Sequence, residues 1–276
     1  MNAPLDLSIV IVSFNTRHDL ENCLRALTTH PPRLAHEIVV VDNASSDGSP
    51  EAVGGRWPAV QLIEAGANLG FAAANNLGIR AARGELVLLL NSDTLAEGDA
   101  IDLLAARLRE QPDVAAVGPR IVDAAGRAEL SFGRMMGPFA EVRQKLLVGL
   151  QARGSALVSG WIERWVGTPA FHDWVSGACL MVRRADALAA GLLDERYFLY
   201  AEDVDFCAAL RSSGKRILFE PGACIVHLRG RSRATRPEAS ELAYRRSQVA
   251  FYAKHHPRWL PVLRWYLRRK GRLPQD

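Results

Sequence analysis

The chain has 276 residues, 49% hydrophobic and 23% charged, with a formal net charge of +4; that length favours one large α/β domain, or a domain with an appendage, built on a substantial core. No stretch approaches the ~18–20 uncharged apolar residues of a membrane span, and MNAPLDLSIVIV lacks the basic region of a secretory leader. Cys23, Cys179, Cys207 and Cys224 form no CxxC pair, so they are expected to be small buried hydrophobes in a reducing, cytoplasmic compartment.

The first half alternates strand and helix signals. LSIVIVS (7–13), EIVVVD (37–42), VQLIEA (60–65) and ELVLLLN (85–91) are short runs rich in Val, Ile and Leu, as expected of strands buried on both faces of a parallel sheet. Helix-like segments lie between and after them, at 18–29, 49–54, 71–82 and 98–110. Asp19 or Thr16 is placed to cap the first, and Pro50 suits the first turn of the second. The βαβα order predicts a doubly wound sheet with right-handed crossovers.

From about residue 128 the rhythm changes. AELSF is expected to be a strand, and 134–170 has amphipathic character without a clean period. WVSGACLMVRR (174–184) reads as one strand and ADALAAGL as a short helix. EDVDFCAALRSSG reads as a helix ended by Gly214, and RILFEP and CIVHL as two further short strands. Beyond Pro237 the chain is expected to be helical, closing with PRWLPVLRWYLRRKGR. Charge is uneven: from Arg211 onward there are 16 Lys and Arg against 4 Asp and Glu, leaving 18 against 26 before it. Trp259, Leu260, Val262, Leu263, Tyr266 and Leu267 follow helical spacing, with Arg264, Arg268, Arg269 and Lys270 on the polar side. Such a helix either lies in a membrane interface or docks on the domain.

In a parallel α/β sheet, ligands gather at the carboxyl ends of the strands. Here those ends carry Ser13-Phe14-Asn15, Asp42-Asn43, Asn68-Leu69-Gly70 and Asn91-Ser92-Asp93. Small polar and acidic residues at four strand ends would build one polar cleft. Each has an ordinary alternative, Asp42 as the first residue of a turn-forming DNASSDGS run and Asp93 as a helix cap. No GxGxxG follows the first strand, which argues against a nicotinamide or flavin cofactor. An acidic rim becomes a phosphate site when Mg²⁺ or Mn²⁺ bridges carboxylate and diphosphate.

A second group is Glu202, Asp203 and Asp205, after the aromatic run Tyr197 to Tyr200. Acids at a helix start complement the macrodipole, and a general base there needs desolvation or a neighbouring acid to keep a usable pKa. His227, near the end of an apolar run, is either a satisfied edge residue or a partner of Asp93 in a metal site. Arg229, Arg231 and Arg233 follow on a glycine-containing loop, placed to hold diphosphate oxygens.

The order SIVIVSFN, VVVDNASSDGS, NLGFAAANNLGIRAARGELVLLLNSDT, VSGACLMVRR, FLYAEDVDFCAALRSSGKR and VHLRGRS closely resembles family 2 inverting glycosyltransferases, in particular rhamnosyltransferase-type enzymes of cell-surface polysaccharide assembly. The match runs from about residue 6 to 233. The resemblance implies a GT-A fold: a Rossmann-like, mostly parallel central sheet with helices on both faces, over residues 1–233. Residues 134–170 would form a variable acceptor-side segment, and 234–276 a basic amphipathic helical extension. It implies a nucleotide-sugar donor, dTDP-rhamnose first and a UDP-sugar second, with Mg²⁺ or Mn²⁺ on the diphosphate, and a saccharide or lipid-linked saccharide acceptor. A lipid-linked acceptor would suit peripheral contact with the inner face of the cytoplasmic membrane, and a nucleic acid partner, suggested only by the basic tail, lacks a supporting fold motif.

By position, Ser13, Asn15 and Asp42 would hold the nucleoside, and Asn68, Gly70 and Asn75 the nucleotide and donor-sugar side. Asn91-Ser92-Asp93 stands in the place of the family's DxD element, with Asp93 its retained acid and His227 completing the metal site. Asp203 matches the general base, with Glu202 beside it; Trp174 to Gly177 would lie where donor sugar and acceptor meet. Asn91 in place of an acid brings no charge, which puts tight metal binding by the protein alone in doubt. The alternatives are a sugar nucleotidyltransferase, which SFNTRHD after the first strand disfavours, and a nucleotide-sugar-binding module without catalysis.

Overall fold

Three apolar runs of the first half, LSIVIVS, EIVVVD and ELVLLLN, occupy the centre of the molecule because both of their faces are covered. VQLIEA, expected to be buried as well, lies partly or fully exposed at the sheet edge. The computed structural model describes residues 5–96, 98–140, 149, 165–228 and 237–274. β1 (Leu7–Ser13) pairs in parallel with β2 (His36–Asp42) on one side and β4 (Leu86–Asn91) on the other, and β3 (Gln61–Glu64) extends the sheet beyond β2. β10 (Cys179–Arg183) enters antiparallel beside β4. It is followed by β6 (Val114–Val122), β11 (Arg216–His227) and the short β5 (Thr94–Ala96), giving the order β3-β2-β1-β4-β10-β6-β11-β5. β8 (Ala170–His172) also pairs with β11, and β7 (Phe132–Gly133) forms a separate small sheet with β9 (Trp174–Val175).

Strand side chains alternate between two cores, as the period of two requires. Leu7, Ile9 and Ile11 of β1 face α1 (Arg17–Thr29) and α4 (Ala100–Glu110), together with Leu86, Leu88 and Leu90 of β4. Val10, Val87 and Leu89 face the opposite way, toward α3 (Phe71–Ala81), α5 (Arg184–Ala189) and α6 (Glu202–Ser212). Burial of each such Leu or Ile side chain contributes ~1.5–3 kcal/mol. A third apolar cluster lies at one end, where Tyr197, Ala201 and Val204 meet Phe251 and Tyr252 of α7 (Pro237–His255) and Leu263 and Leu267 of α8 (Leu260–Arg269).

Several expectations need correction. WVSGACLMVRR is two strands in different sheets, β9 and β10, because the chain turns at Ser176, whose carbonyl accepts the Cys179 amide. RILFEP and CIVHL are one long strand, interrupted by a register irregularity between Glu220 and Cys224 where Pro221 and Gly222 fall. β6 was not anticipated as a strand, although its Val, Ala and Ile content resembles that of the strands that were. Cys224 is exposed, whereas the other three cysteines are buried. Two local expectations hold: Pro50 stands in the first turn of α2 (Ser49–Arg56), and Gly214 takes φ +82° just past α6.

Candidate active site

The sheet places three polar strand ends side by side. Ser13 is the register partner of Asp42, and Val12 that of Asn91, so the carboxyl ends of β2, β1 and β4 form one rim. β2 and β3 build outward on one side of β1 and β4 begins on the other, so this rim lies at a topological switch point.

Asp42 is 2% exposed and its two oxygens differ. Oδ2 accepts the Ser45 amide, the local turn expected of DNASSDGS, while Oδ1 is buried without a protein partner. A buried carboxylate oxygen left unpaired costs free energy unless a ligand answers it. Asn91 repeats the pattern, with a buried, unpartnered Oδ1 at the end of β4. Ser92 and Ser13 are joined through the Thr16 hydroxyl, at 2.9 and 3.1 Å, so Thr16 ties the rim together and makes no side-chain cap on α1.

Asn15 takes φ +52° and its Oδ1 accepts the Ser46 amide at 2.7 Å, so it shapes the loop after β2. Asn43, at the expected polar end of β2, holds the next loop in place. Its side-chain amide donates to Asn68 Oδ1 and its own Oδ1 accepts the Leu69 amide. Gly70 then enters α3 at φ +85°, where a Cβ would come within 2.5 Å of the Phe198 carbonyl oxygen; glycine is required for the loop at 198 to approach. Asn75 donates back to the Phe71 carbonyl and is 1% exposed.

Asp93 is not a helix cap, since β5 follows it directly. Its Oδ1 lies 3.1 Å from His227 Nε2, and its carbonyl accepts the Leu228 amide. The β5–β11 pairing enforces this meeting by setting Thr94 opposite His227. The other imidazole nitrogen, Nδ1, is 3.5 Å from Glu129 Oε2. Glu129 was missed, although a carboxylate inside the apolar AELSF run was a usable signal. Among the described residues no three such side chains are arranged to enclose an ion by themselves. The donors at this edge, the Asp93 carboxylate and the His227 imidazole, fit a divalent cation whose remaining ligands come from phosphate oxygens. Arg229, Arg231 and Arg233 lie outside the described residues.

Across the rim stands Asp203. The Gly177 amide donates to its Oδ2 at 2.9 Å and the Val204 amide to its Oδ1 at 2.8 Å. Gly177 packs closely on the acid, since a Cβ there would sit 3.2 Å from that of Asp203 and press on it. Burial raises the Asp203 pKa above the usual aspartate value, against the lowering effect of those amides. Glu202 is 5% exposed with Oε2 unpartnered, and its pKa is pushed well up, first by burial and then by the Asp203 charge. The pair therefore holds its negative charge on Asp203, where amides receive it, with Glu202 neutral. Asp205 points elsewhere, into contacts with Lys254 and His255.

The two halves of the site are joined by direct contacts. The Asn91 amide donates to the Ala178 carbonyl next to Gly177, and the Phe71 amide donates to the Phe198 carbonyl. The Trp174 indole N–H is donated to the Arg134 carbonyl at 2.8 Å. Among the described residues five non-glycine residues have positive φ, and four of them (Asn15, Ala44, Tyr200 and Ala201) border this rim. Such strain persists where the surroundings over-determine the backbone and clusters at functional sites.

Residues 8–156 match the family model described as Glycosyl transferase family 2. An N-acetylglucosaminyl-diphospho-decaprenol L-rhamnosyltransferase of Mycobacterium tuberculosis is 31% identical over 275 residues, covering 95% of this chain and 89% of the relative. The low-salt glycan biosynthesis hexosyltransferase Agl10 of Haloferax volcanii is 26% identical over 80% of this chain and 65% of its own. Among solved structures, the mannosyltransferase PcManGT from Pyrobaculum calidifontis, in complex with GDP-Man and Mn²⁺, superposes with a TM-score of 0.61. It is 21% identical, covering 95% of this chain and 68% of that one.

Proposed function

The chain belongs to glycosyl transferase family 2 and is a glycosyltransferase of cell-surface glycan synthesis with a GT-A fold, and from that premise we propose that it moves a sugar from a nucleoside diphosphate to a saccharide hydroxyl by a single inverting displacement with Asp203 as the base. The observation that carries this reading is the Asp203 carboxylate, accepting two backbone amides, on the same rim as Asp42 and the Asp93–His227 pair. Residues 1–233 act as the catalytic unit and 234–276 as its helical extension.

The nucleoside would lie over β1 and β2, where Asp42 Oδ1 is open to a base or ribose donor, with Ser13 and Asn15 beside it. Asn68, Gly70 and Asn75 would line the passage toward the sugar, and Trp174 and Gly177 the acceptor side. The acceptor oxygen attacks the anomeric carbon while its proton passes to Asp203 Oδ. The bond from that carbon to the diphosphate breaks, and one attack inverts the configuration. Glu202, neutral, adds no second charge beside the forming bond. Asp93 and His227 would hold Mg²⁺ or Mn²⁺, which when bound supplies charge neutralisation on the departing diphosphate. Asn91 brings a carbonyl oxygen and no charge, so cation affinity is expected to rise with donor present.

Similarity to the mycobacterial relative, whose name includes a decaprenol-linked substrate and L-rhamnose, favours dTDP-rhamnose as donor and a lipid-linked saccharide as acceptor, with a UDP-sugar second. Action on a lipid-linked acceptor suits a cytoplasmic protein working at the inner membrane face. Among the described residues no helix is long and apolar enough to cross a membrane.

The test is Asp203→Asn, with a thermal-shift screen of nucleotide sugars in Mg²⁺ or Mn²⁺ to choose the donor. General-base removal is expected to lower kcat ~10²–10⁴-fold while calorimetric donor binding stays within a factor of two or so. In the wild type, activity should fall as pH drops through a pKa above the usual aspartate value, since burial raises it. Turnover of the Asn variant near wild type would remove Asp203 from the role.

A further inference from the structure

The C-terminal helix both docks on the domain and presents an unpartnered face. Leu263 and Leu267 are buried in the third apolar cluster. Trp259, Val262, Trp265 and Tyr266 are 42, 51, 57 and 47% exposed, and with Arg269 they recur at the spacing of one helical side. Large apolar side chains gathered this way on a surface mark a contact. Between Arg258 and Arg272 there are six cations (Arg258, Arg264, Arg268, Arg269, Lys270 and Arg272) and no acid, all six exposed. The Arg269 guanidinium lies 4.9 Å from the centre of the Trp265 ring. A second copy of this chain would set these cations against one another. A surface of anionic headgroups over acyl chains answers both the charge and the aromatic rings.

The patch continues toward the acceptor side of the site. Phe139, 80% exposed, meets Trp259 edge-on at 6.0 Å. His256 Nε2 is 2.7 Å from the Met136 carbonyl oxygen, and Arg134 in the same segment accepts the Trp174 indole N–H. Only a few residues then separate the patch from Gly177 and Asp203.

We propose that Trp259, Val262, Trp265, Tyr266 and Phe139, with Arg258 and Arg269, form a docking face for an anionic lipid surface that sets the acceptor side of the cleft against the membrane. The lipid face itself is read without donor or acceptor, and only the orientation of the acceptor side rests on the proposed transfer, so either assignment can fail while the other stands.

Full-length protein should co-sediment with vesicles of equal parts phosphatidylglycerol and phosphatidylcholine and remain in solution with phosphatidylcholine alone, and high salt should release it. Trp265→Ala with Tyr266→Ala, and separately Arg258→Glu with Arg269→Glu, should each lower partitioning at least tenfold. Unchanged circular dichroism and thermal unfolding would show that the fold persists. Equal binding to both vesicle types, no binding to either, or unaltered binding by both double variants would overturn the proposal. So would light scattering that shows a dimer dissociated by the same substitutions.

Discussion

Asp42, Asn91 and Glu202 each bury a side-chain oxygen with no protein partner, and the reasons differ. At Asp42 and Asn91 the orphan atom lies on a strand-end rim that awaits a ligand. At Glu202 it belongs to a carboxyl group kept neutral by burial and by the anion next to it. Because the folded-state pKa of Glu202 is raised above its unfolded value, the folded protein keeps a proton that the unfolded chain has already released. Stability therefore declines as pH rises from the ordinary glutamate range toward the raised pKa. Glu202→Gln has no such proton to keep. Its melting temperature relative to wild type should rise steadily with pH from about 4 upward, and a pH-independent difference would refute a neutral Glu202. At the other edge, Asp93→Ala removes the carboxylate that meets His227 Nε2. Mn²⁺ titration in the presence of donor should show affinity at least tenfold weaker, with the fold unchanged by circular dichroism; undiminished affinity would move the cation elsewhere.

At the scale of elements, the segment before α6 is tied to both α3 and α7. Phe198 accepts the amide at the start of α3, and Leu199 accepts the Ser247 hydroxyl of α7. Just past these anchors Tyr200 and Ala201 take φ +72° and +69° and deliver Glu202 and Asp203 to the cleft. Asp205, 2% exposed, fixes the far side. It accepts from Lys254 at 2.8 Å and the Tyr197 hydroxyl at 3.2 Å, and its Oδ1 is 2.6 Å from His255 Nε2. Asp205 was grouped with the cleft acids because it shares their sequence run, but in a helix two residues' separation turns a side chain to another face. Removing a buried acceptor of charged donors costs ~1.5–3 kcal/mol, and Lys254, about one-third exposed, sets Asp205→Ala at the lower end. Denaturant unfolding should report that loss, and hydrogen exchange should show α7 opening before the sheet. Unchanged α7 protection would mean that the apolar contacts alone hold it.

For the molecule as a whole, the sheet centre is fully covered while its β3 edge is not. β1, β4 and β10 are buried almost throughout, whereas all four residues of β3 are partly or fully exposed. Hydrogen exchange should therefore be slowest in β1, β4 and β10 and faster in β3, because local opening follows the density of buried contacts. Protection of β3 equal to that of β1 would contradict this picture. The same arrangement explains the site: a rigid sheet fixes Ser13, Asp42 and Asn91, while loops anchored by Asn43, Gly177 and Ser247 bring the remaining groups to it.

The sequence by itself determined the first four strands, the helices between them and the polar character of their carboxyl ends. Each depends on local periodicity and on turn chemistry within a few residues, as at Pro50 and Gly214. The order of the runs from SIVIVSFN to VHLRGRS also carried the family resemblance. Tertiary structure alone decided which candidates face one another. The 3.1 Å contact of Asp93 with His227 spans 134 residues and arises from β5 pairing with β11, two strands whose pairing leaves no periodic trace in either segment. It likewise divided the two oxygens of Asp42, set the charge on Asp203 and not Glu202, and turned Asp205 away, because burial and hydrogen-bond partners belong to the folded chain and not to the residue type.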